Sequence, residues 1–175
     1  MIADQISEKA AASAPTCEDP GSLEEVMTPA AIASSFLTES SIVHSADRLI
    51  DGNLNRAWVE GVAGYGVNEW IEFTFSQPID LKLICVVNGY AGTLAQYEKN
   101  ARVAQFEITT APGTTTDSLA VKPSADYTVA QSLDFDKGPT TLVRLTVKST
   151  RPGTGADATE DTSISEVTFW GRPTN

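Results

Sequence analysis

The sequence predicts an all-β protein, built as a sandwich of about eight antiparallel strands. Apolar residues recur with a period of two in several short stretches, as they do in strands that bury one face. Glycine, proline and asparagine separate these stretches at short intervals, which is typical of turns between strands. No stretch requires a long helix, and no internal repeat is apparent.

The predicted strands follow one another along the chain from residue 70. In WIEFTF, Ile71, Phe73 and Phe75 fall on one face, and LKLICVV is apolar enough for a strand buried on both faces. Four further runs complete the set of predicted strands: ARVAQFEITT, DYTVAQSLDF, TLVRLTVKS and SEVTFWG. The residues predicted to share a face within a run are Phe106 and Ile108, then Val143, Leu145 and Val147, and finally Val167 and Phe169. Turns are expected at Gln77-Pro78, Asn88-Gly89, Pro112-Gly113, Lys137-Gly138-Pro139 and Arg151-Pro152-Gly153.

Residues 1–27 differ in composition from the rest of the chain. They hold six acidic residues and one basic residue among alanine, serine and proline. We expect an acidic tail or linker that is poorly ordered, followed by one folded domain over residues 28–175. A disulfide is not expected, because Cys17 lies in this tail whereas Cys85 lies in an apolar strand that suits a buried free thiol.

Charge and chemistry narrow the possible functions. The 175-residue chain has a net charge of −11. This charge disfavours nucleic acids and anionic membranes as binding partners and is compatible with a neutral partner such as a glycan. The alternative is that the acidic surface only keeps the protein soluble. No signal-peptide core and no membrane-spanning run are visible. His44 is the only histidine, so a zinc site or a Ser-His-Asp triad lacks support. We expect His44 to have a structural or surface role and the protein not to be an enzyme.

Two loops have the composition of a sugar site, which combines flat aromatic rings with planar polar side chains. The first loop is EGVAGYGVNE, which includes Asn68, and the second is NGYAGTLAQYEKNAR, which includes Lys99. The predicted ligand contacts are Glu60, Tyr65, Asn88, Tyr90, Tyr97, Glu98, Asn100 and Arg102. The alternative is that some of the tyrosines only pack their own loops. A third loop, STRPGTGADATEDT, either borders the site or is only mobile.

Three segments resemble the discoidin, or F5/8 type C, family. ADRLIDGNLNRAW resembles its A-x-x-x-x-D-G-x-x-x-T-x-W segment, EWIEFTFSQPIDLKLICVVNG resembles its next two strands, and ISEVTFWG resembles its closing strand. The resemblance spans about residues 30–172 and is greatest to the bacterial glycan-binding branch attached to NAD glycohydrolase toxins, whose catalytic domain is separate and does not fit in this chain.

The resemblance implies a galactose-binding-like jelly roll that binds carbohydrate without chemistry. It further implies an accessory or targeting module, in an extracellular or cell-surface setting, that does not insert into membranes. The alternative function on the same fold is a protein–protein adhesion or scaffold module. Trp58, directly after the Asp51 loop, is expected in the core.

The resemblance also implies a structural calcium ion at the Asp51 loop. Its ligands would be the Asp51 and Glu166 carboxylates, with backbone carbonyls from Arg48, Asn53, Arg56 and Ser165. Arg56 stands where the family often has threonine, which removes a hydroxyl ligand and introduces a cation. Two alternatives therefore stay open: Asp51 bonds its own backbone in an Asx turn, or Arg56 pairs with Asp51 or Glu166 in place of the metal.

Overall fold

A computed structural model describes residues 14–26 and 30–174. The strands are β1 (Glu24–Glu25), β2 (Ala30–Ala33), β3 (Thr38–Glu39), β4 (Ile42–Val43), β5 (Trp58–Val59), β6 (Trp70–Asn88), β7 (Ala101–Thr109), β8 (Thr114–Ser118), β9 (Gln131–Leu133), β10 (Gly138–Arg151) and β11 (Thr162–Pro173). One α-helix, α1 (Leu94–Lys99), and two 3-10 turns, Ala46–Leu49 and Ser124–Asp126, complete the elements. The predicted all-β class is confirmed.

The long strand β6 joins the two layers of the sandwich. Its first part pairs with β2 and β10, and its second part pairs with β11 and β9. Between these parts the pairing with β10 shifts register, and residues 76–78 are exposed. The expected turn at Gln77-Pro78 is therefore wrong. Pro78 lies at an irregularity within one continuous strand, where a residue without an N–H is tolerated.

The core lies between the layers and is formed by the predicted faces. The sequence predicted eight core-facing residues on β6, β7 and β10. Seven of them are fully buried, and the eighth, Phe75, is 5% exposed. The Phe169 ring from β11 lies 4.9 Å from the Phe73 ring, which joins the layers by an edge-to-face contact. Trp58 is fully buried as expected, and its indole N–H donates to the Ser35 carbonyl at 3.0 Å.

The run DYTVAQSLDF forms less strand than its alternation predicts. Only Gln131–Leu133 is a strand, which pairs with Ile84–Val86 of β6. The residues before it form a 3-10 turn in which the Asp126 N–H donates to the Pro123 carbonyl at 2.9 Å. The helical turn follows Pro123, whose missing N–H suits the start of a turn and not a paired strand.

A disulfide joins Cys17 to Cys85, with the Cα atoms 5.7 Å apart. The expectation that Cys85 is a free thiol is therefore wrong, although Cys85 is buried as expected, at 2% exposure. Ile84 and Val86 belong to the core cluster whereas Cys85 does not, so Cys85 faces the outer side of β6, where the N-terminal segment covers it. The partner was not evident because 68 residues separate the two cysteines.

The described part of the acidic tail is attached to the sheet. Glu24 and Glu25 form β1 along β11, and the Val26 N–H donates to the Phe169 carbonyl at 2.8 Å. Residues 1–13 and 27 of the predicted tail lie outside the described part of the chain. No helix within the described ranges is long and apolar enough to cross a membrane.

Candidate functional site

A groove of about 210 Å³ opens between the β3–β4 hairpin and helix α1. We call it the α1 groove. Its polar lining consists of Glu39, His44, Tyr90, Gln96, Lys99, Asn100 and Asp161, and its apolar lining of Leu37, Ile42 and Val59. Residues from four separate parts of the chain thus surround one concave surface, which places an aromatic ring beside several hydrogen-bonding groups.

His44 is a buried wall of this groove, only 5% exposed. Its Nδ1 lies 3.2 Å from the Ala57 carbonyl and 3.4 Å from Arg48 Nη1. Because the carbonyl can only accept and is the nearer partner, we assign the proton to Nδ1. Burial lowers the pKa of His44, so the ring is neutral. Nε2 therefore carries a lone pair, and it bonds to no residue in the described part of the chain. The structural role expected for His44 thus leaves one nitrogen able to accept a hydrogen bond.

Tyr90 supplies the aromatic surface of the α1 groove. Its ring is half-buried and meets the His44 ring edge-to-face, with centroids 6.0 Å apart. Its hydroxyl lies 3.5 Å from the Asn55 carbonyl, a long contact. Of the tyrosines predicted as ligand contacts, Tyr90 is the one that lines this groove.

Three charged side chains of the α1 groove have no ion-pair partner among the described residues: Glu39, Lys99 and Asp161. Carboxylates accept and an ammonium donates, so these groups suit a ligand rich in hydroxyls. Sequence reasoning missed Glu39, Gln96 and Asp161 as site residues. Glu39 and Asp161 lie far from Tyr90 in the sequence, and no local motif marks either of them.

Tyr97 and Arg102, both predicted as ligand contacts, support the loop internally. Tyr97 is 7% exposed, and the Arg102 guanidinium carbon lies 4.6 Å from the centre of its ring. Arg102 also donates to the carbonyls of Tyr97 at 2.5 Å and Pro152 at 3.3 Å. This arginine therefore fastens the end of α1 to the loop after β10.

The two predicted asparagines also bond within the fold. Asn88 donates to the Val103 carbonyl at 2.8 Å and accepts from the Val103 N–H at 3.1 Å. Asn100 lines the α1 groove, but its amide donates to the Gln96 carbonyl and accepts from the Thr159 hydroxyl. Glu98 lies outside the groove lining and accepts from the Ser124 hydroxyl at 3.2 Å.

The loop EGVAGYGVNE is not part of the α1 groove. Glu60 is 1% exposed, and its Oε2 accepts from the Val62 N–H at 2.8 Å. Burial raises the pKa of Glu60, which favours its protonated form. The Tyr65 carbonyl accepts from the Thr162 hydroxyl at 2.8 Å. The two tyrosine-bearing loops therefore do not form a single rim around this groove.

The Asp51 loop is an Asx turn closed by an ion pair. Asp51 Oδ1 accepts from the Asn53 N–H at 2.9 Å, and Asp51 Oδ2 lies 2.9 Å from Arg56 Nη1. Gly52 has φ +70°, which glycine adopts without strain. The Gly52 N–H donates to Glu166 Oε2 at 3.0 Å, so the closing strand reaches the loop as expected.

Glu166 is a nearly buried carboxyl group beside a second one. Burial, with a smaller contribution from the nearby Asp51 charge, raises the pKa of Glu166 to about 7. The neighbouring Ser165 hydroxyl donates to the Gly89 carbonyl at 3.0 Å and accepts from the Ala91 N–H at 2.8 Å. Arg48 lies beside His44, with Nη1 3.4 Å from His44 Nδ1.

This arrangement does not fit a bound calcium ion. Calcium takes six to eight oxygen ligands. Both Asp51 oxygens already have partners, one of them the Arg56 cation, and the Asn53 carbonyl accepts from the Arg56 N–H at 2.9 Å. Within residues 14–26 and 30–174, no group of three or more histidine, cysteine, aspartate or glutamate side chains is placed to hold a metal.

A family model described as the NAD glycohydrolase translocation F5/8 type C domain matches residues 24–170. The chain belongs to this family. The match begins at β1 and ends in β11, so it covers the whole sandwich of this F5/8 type C domain. A search among curated proteins finds no match.

Solved structures share the fold of this F5/8 type C domain at low sequence identity. An F5/8 type C domain from Bacteroides fragilis has a TM-score of 0.63 and 15% identity, over 89% of this chain and 100% of that chain. A family 32 carbohydrate-binding module of NanJ from Clostridium perfringens, in complex with galactose, has a TM-score of 0.53 and 17% identity, over 81% and 92%.

A family 89 glycoside hydrolase from Clostridium perfringens also contains this fold. Its structure, in complex with 2-acetamido-1,2-dideoxynojirmycin, gives a TM-score of 0.59 and 19% identity over 86% of this chain. This chain spans only 15% of that hydrolase's length. The likeness therefore concerns one module of a much larger protein and not its catalytic activity.

Proposed function

We propose that this F5/8 type C domain is a non-catalytic carbohydrate-binding module and that the α1 groove holds the sugar. The proposal rests on one observation: the α1 groove brings together the Tyr90 ring, the His44 ring and the side chains of Lys99 and Asp161. Among the described residues, His44 Nε2 has no hydrogen-bond partner, and Lys99 and Asp161 have no ion-pair partner. A sugar ring offers an apolar face for stacking and hydroxyls that both donate and accept. The α1 groove offers a partner for each of these features.

The size of the groove favours one sugar residue. Its volume of 210 Å³ is below the roughly 300–1,000 Å³ of pockets for drug-sized ligands. We expect one terminal or branching residue in the groove, with the rest of the glycan in solvent. So few contacts on a partly exposed surface should give a Kd of roughly 10 µM to 1 mM, about 4–7 kcal/mol.

The groove favours binding over catalysis. No serine, threonine or cysteine lines it, and the His44 Nδ1 proton is held by a backbone carbonyl. The disulfide favours an exported protein, because disulfides persist in oxidising compartments. Other modules of the fold are joined to enzymes, which supports an accessory role.

The second candidate is protein binding on the same fold. It is favoured by the exposed apolar side chains of Phe36, Ile42 and Val43, which are 48%, 51% and 40% exposed and of which Ile42 also lines the groove. A glycan array separates the two candidates, because a pure protein-binding module retains no glycan.

The test is a glycan array on the wild type, followed by calorimetry with the sugar it retains. Tyr90→Ala should weaken binding at least tenfold, because the stacking surface is lost. Tyr65→Ala is the matched control, since Tyr65 lies outside the α1 groove, and its affinity should stay within twofold of the wild type. Equal affinity in wild type and Tyr90→Ala, or no glycan retained by the wild type, would contradict the proposal.

A further inference from the structure

The Asp51 loop supports the segment that carries Tyr90. A Cβ atom built on Gly92 would lie 3.2 Å from the Asn55 Cα atom, so the two backbones pass closely. Ser165 bonds both neighbours of Tyr90 from below, through the Gly89 carbonyl and the Ala91 N–H. The closing strand and the Asp51 loop therefore fix the position of Tyr90 together.

Two carboxyl groups meet at this loop, Asp51 from the loop itself and Glu166 from β11. Asp51 and Glu166 both accept from its backbone, through the Asn53 and Gly52 N–H groups. Two carboxyl groups this near to each other need a cation or a proton between them. Of the described cationic side chains, Arg56 is the one that forms an ion pair with either, at 2.9 Å from Asp51.

The position of Arg56 is fixed by the backbone as well as by charge. Its N–H donates to the Asn53 carbonyl at 2.9 Å, which closes the turn just before the side chain returns to Asp51. The ion pair is partly exposed, with side chains 44% and 20% accessible. An isolated ion pair of this kind contributes little to the free energy of unfolding, so its main effect is to fix the position of the loop.

We propose that the Arg56 guanidinium is the resident cation of the Asp51 loop, in the place where the family resemblance implies calcium. The domain then keeps its loop, and the Tyr90 segment beside it, without a divalent ion. The side chain neutralises Asp51 from within the chain, and no ion has to be captured from solution. Only the link to Tyr90 rests on the proposed function.

Arg56→Thr tests this proposal by removing the cation and adding a hydroxyl oxygen. The variant leaves Asp51 without its positive partner and frees Asp51 Oδ2 for a hard cation, while the backbone turn, including the N–H of residue 56 on the Asn53 carbonyl, is kept. We expect the wild type to melt at the same temperature, within 1 °C, in calcium or in chelator. The variant should melt lower in chelator, and calcium at about 100 times its Kd should raise its Tm by about 5–10 °C.

Two further variants keep the test decisive. Arg151→Thr makes the same change at an arginine outside the loop and should gain no calcium response. Arg56→Lys retains the charge and should stay insensitive to calcium, which tests the proposal even if Arg56→Thr fails to fold. Calorimetric titration with CaCl₂ alone should show no heat of binding for the wild type and one site for Arg56→Thr.

A wild-type Tm that rises with calcium and falls with chelator would overturn the proposal. So would an Arg56→Thr variant that folds but binds no calcium, because the loop would then be an Asx turn with no place for a cation. These melts contain no glycan. Failure of the groove to bind sugar therefore leaves their outcome unchanged, and the two proposals are tested separately.

Discussion

The backbone N–H of Gly52 donates to the Glu166 carboxyl group at 3.0 Å, across a separation of 114 residues. This bond joins the Asp51 loop of the F5/8 type C domain to its last strand, β11. Glu166 is 9% exposed and lies near the Asp51 charge, which together hold its pKa at about 7. The junction therefore contains a carboxyl group that changes charge near neutral pH.

We predict that Glu166 makes the domain less stable as pH rises. Its pKa is raised from 4.5 to about 7 in the fold, so its stabilising contribution is complete below pH 4.5 and is lost as pH rises through about 7. The full shift corresponds to about 3 kcal/mol. Urea unfolding at pH 5, 6, 7 and 8 should show this loss in the wild type and not in Glu166→Gln, which keeps an oxygen for Gly52.

His44 acts in the opposite direction, so the comparison between variants is essential. Its pKa is lowered by burial, which means that its stabilising contribution is present at high pH and is lost on acidification. At each pH, the unfolding free energy of Glu166→Gln is subtracted from that of the wild type. The difference isolates the contribution of Glu166, because both proteins contain His44. Parallel profiles for the two proteins would show that Glu166 titrates normally.

The Cys17–Cys85 disulfide is predicted to stabilise the domain by about 2–4 kcal/mol, because it closes a loop with a sequence separation of 68 residues. Cys17→Ser should unfold at lower urea, and a reducing agent should destabilise the wild type without affecting the variant. The double variant Cys17→Ser/Cys85→Ala controls for the free thiol. Equal urea midpoints for oxidised and reduced wild type would contradict the prediction.

Substitution of Arg102 should lower the stability of the domain, whereas substitution of Lys99 should lower its affinity for glycan. Arg102→Ala removes the contact with the Tyr97 ring and three hydrogen bonds to backbone carbonyls, so it should cost about 1–3 kcal/mol of stability. Glycan affinity of the folded fraction should be nearly unchanged. Lys99→Ala, at an exposed groove residue, should reduce affinity and leave the Tm within about 1 °C. Reversed effects would place Arg102 in the site.

The sequence predicted the sandwich because burial follows local alternation. Ile71 and Phe73 face the core, and Glu72 between them is less buried, as a period of two requires. Periodicity carries no information on distant partners, so it failed for Cys85. Its neighbours Ile84 and Val86 gave the same apolar signal as a strand with no covalent partner.

The site was less predictable than the fold. Composition selected Tyr90 and Tyr97 alike, but Tyr97 packs under Arg102 whereas Tyr90 lines the α1 groove. The same side chains that suit a sugar also suit a loop that must bond its own backbone. Glu39 and Asp161 reach the groove through a hairpin and a long loop, and only the tertiary structure brings them together.

The charges of the α1 groove should determine which glycans it accepts. Glu39 and Asp161 contribute two negative charges, Lys99 contributes one positive charge, and His44 is neutral because burial lowers its pKa. Carboxylates accept hydrogen bonds from sugar hydroxyls and repel a sugar that carries its own carboxylate. The net charge of −11 for the whole chain adds to this repulsion at long range.

We therefore predict that the domain prefers neutral glycans to sialylated or uronic-acid glycans. A half-exposed pair of like charges costs about 1 kcal/mol, which corresponds to a preference of roughly fivefold for each carboxylate. Glu39→Gln/Asp161→Asn should lower affinity for the neutral glycan, since acceptors weaken, and should raise affinity for its sialylated counterpart. The preference should shrink at 0.5 M NaCl, because salt screens exposed charges. Calorimetry with the matched glycan pair measures both effects. An unaltered ratio of the two affinities in the double variant would show that selection depends on the shape of the groove and not on these carboxylates.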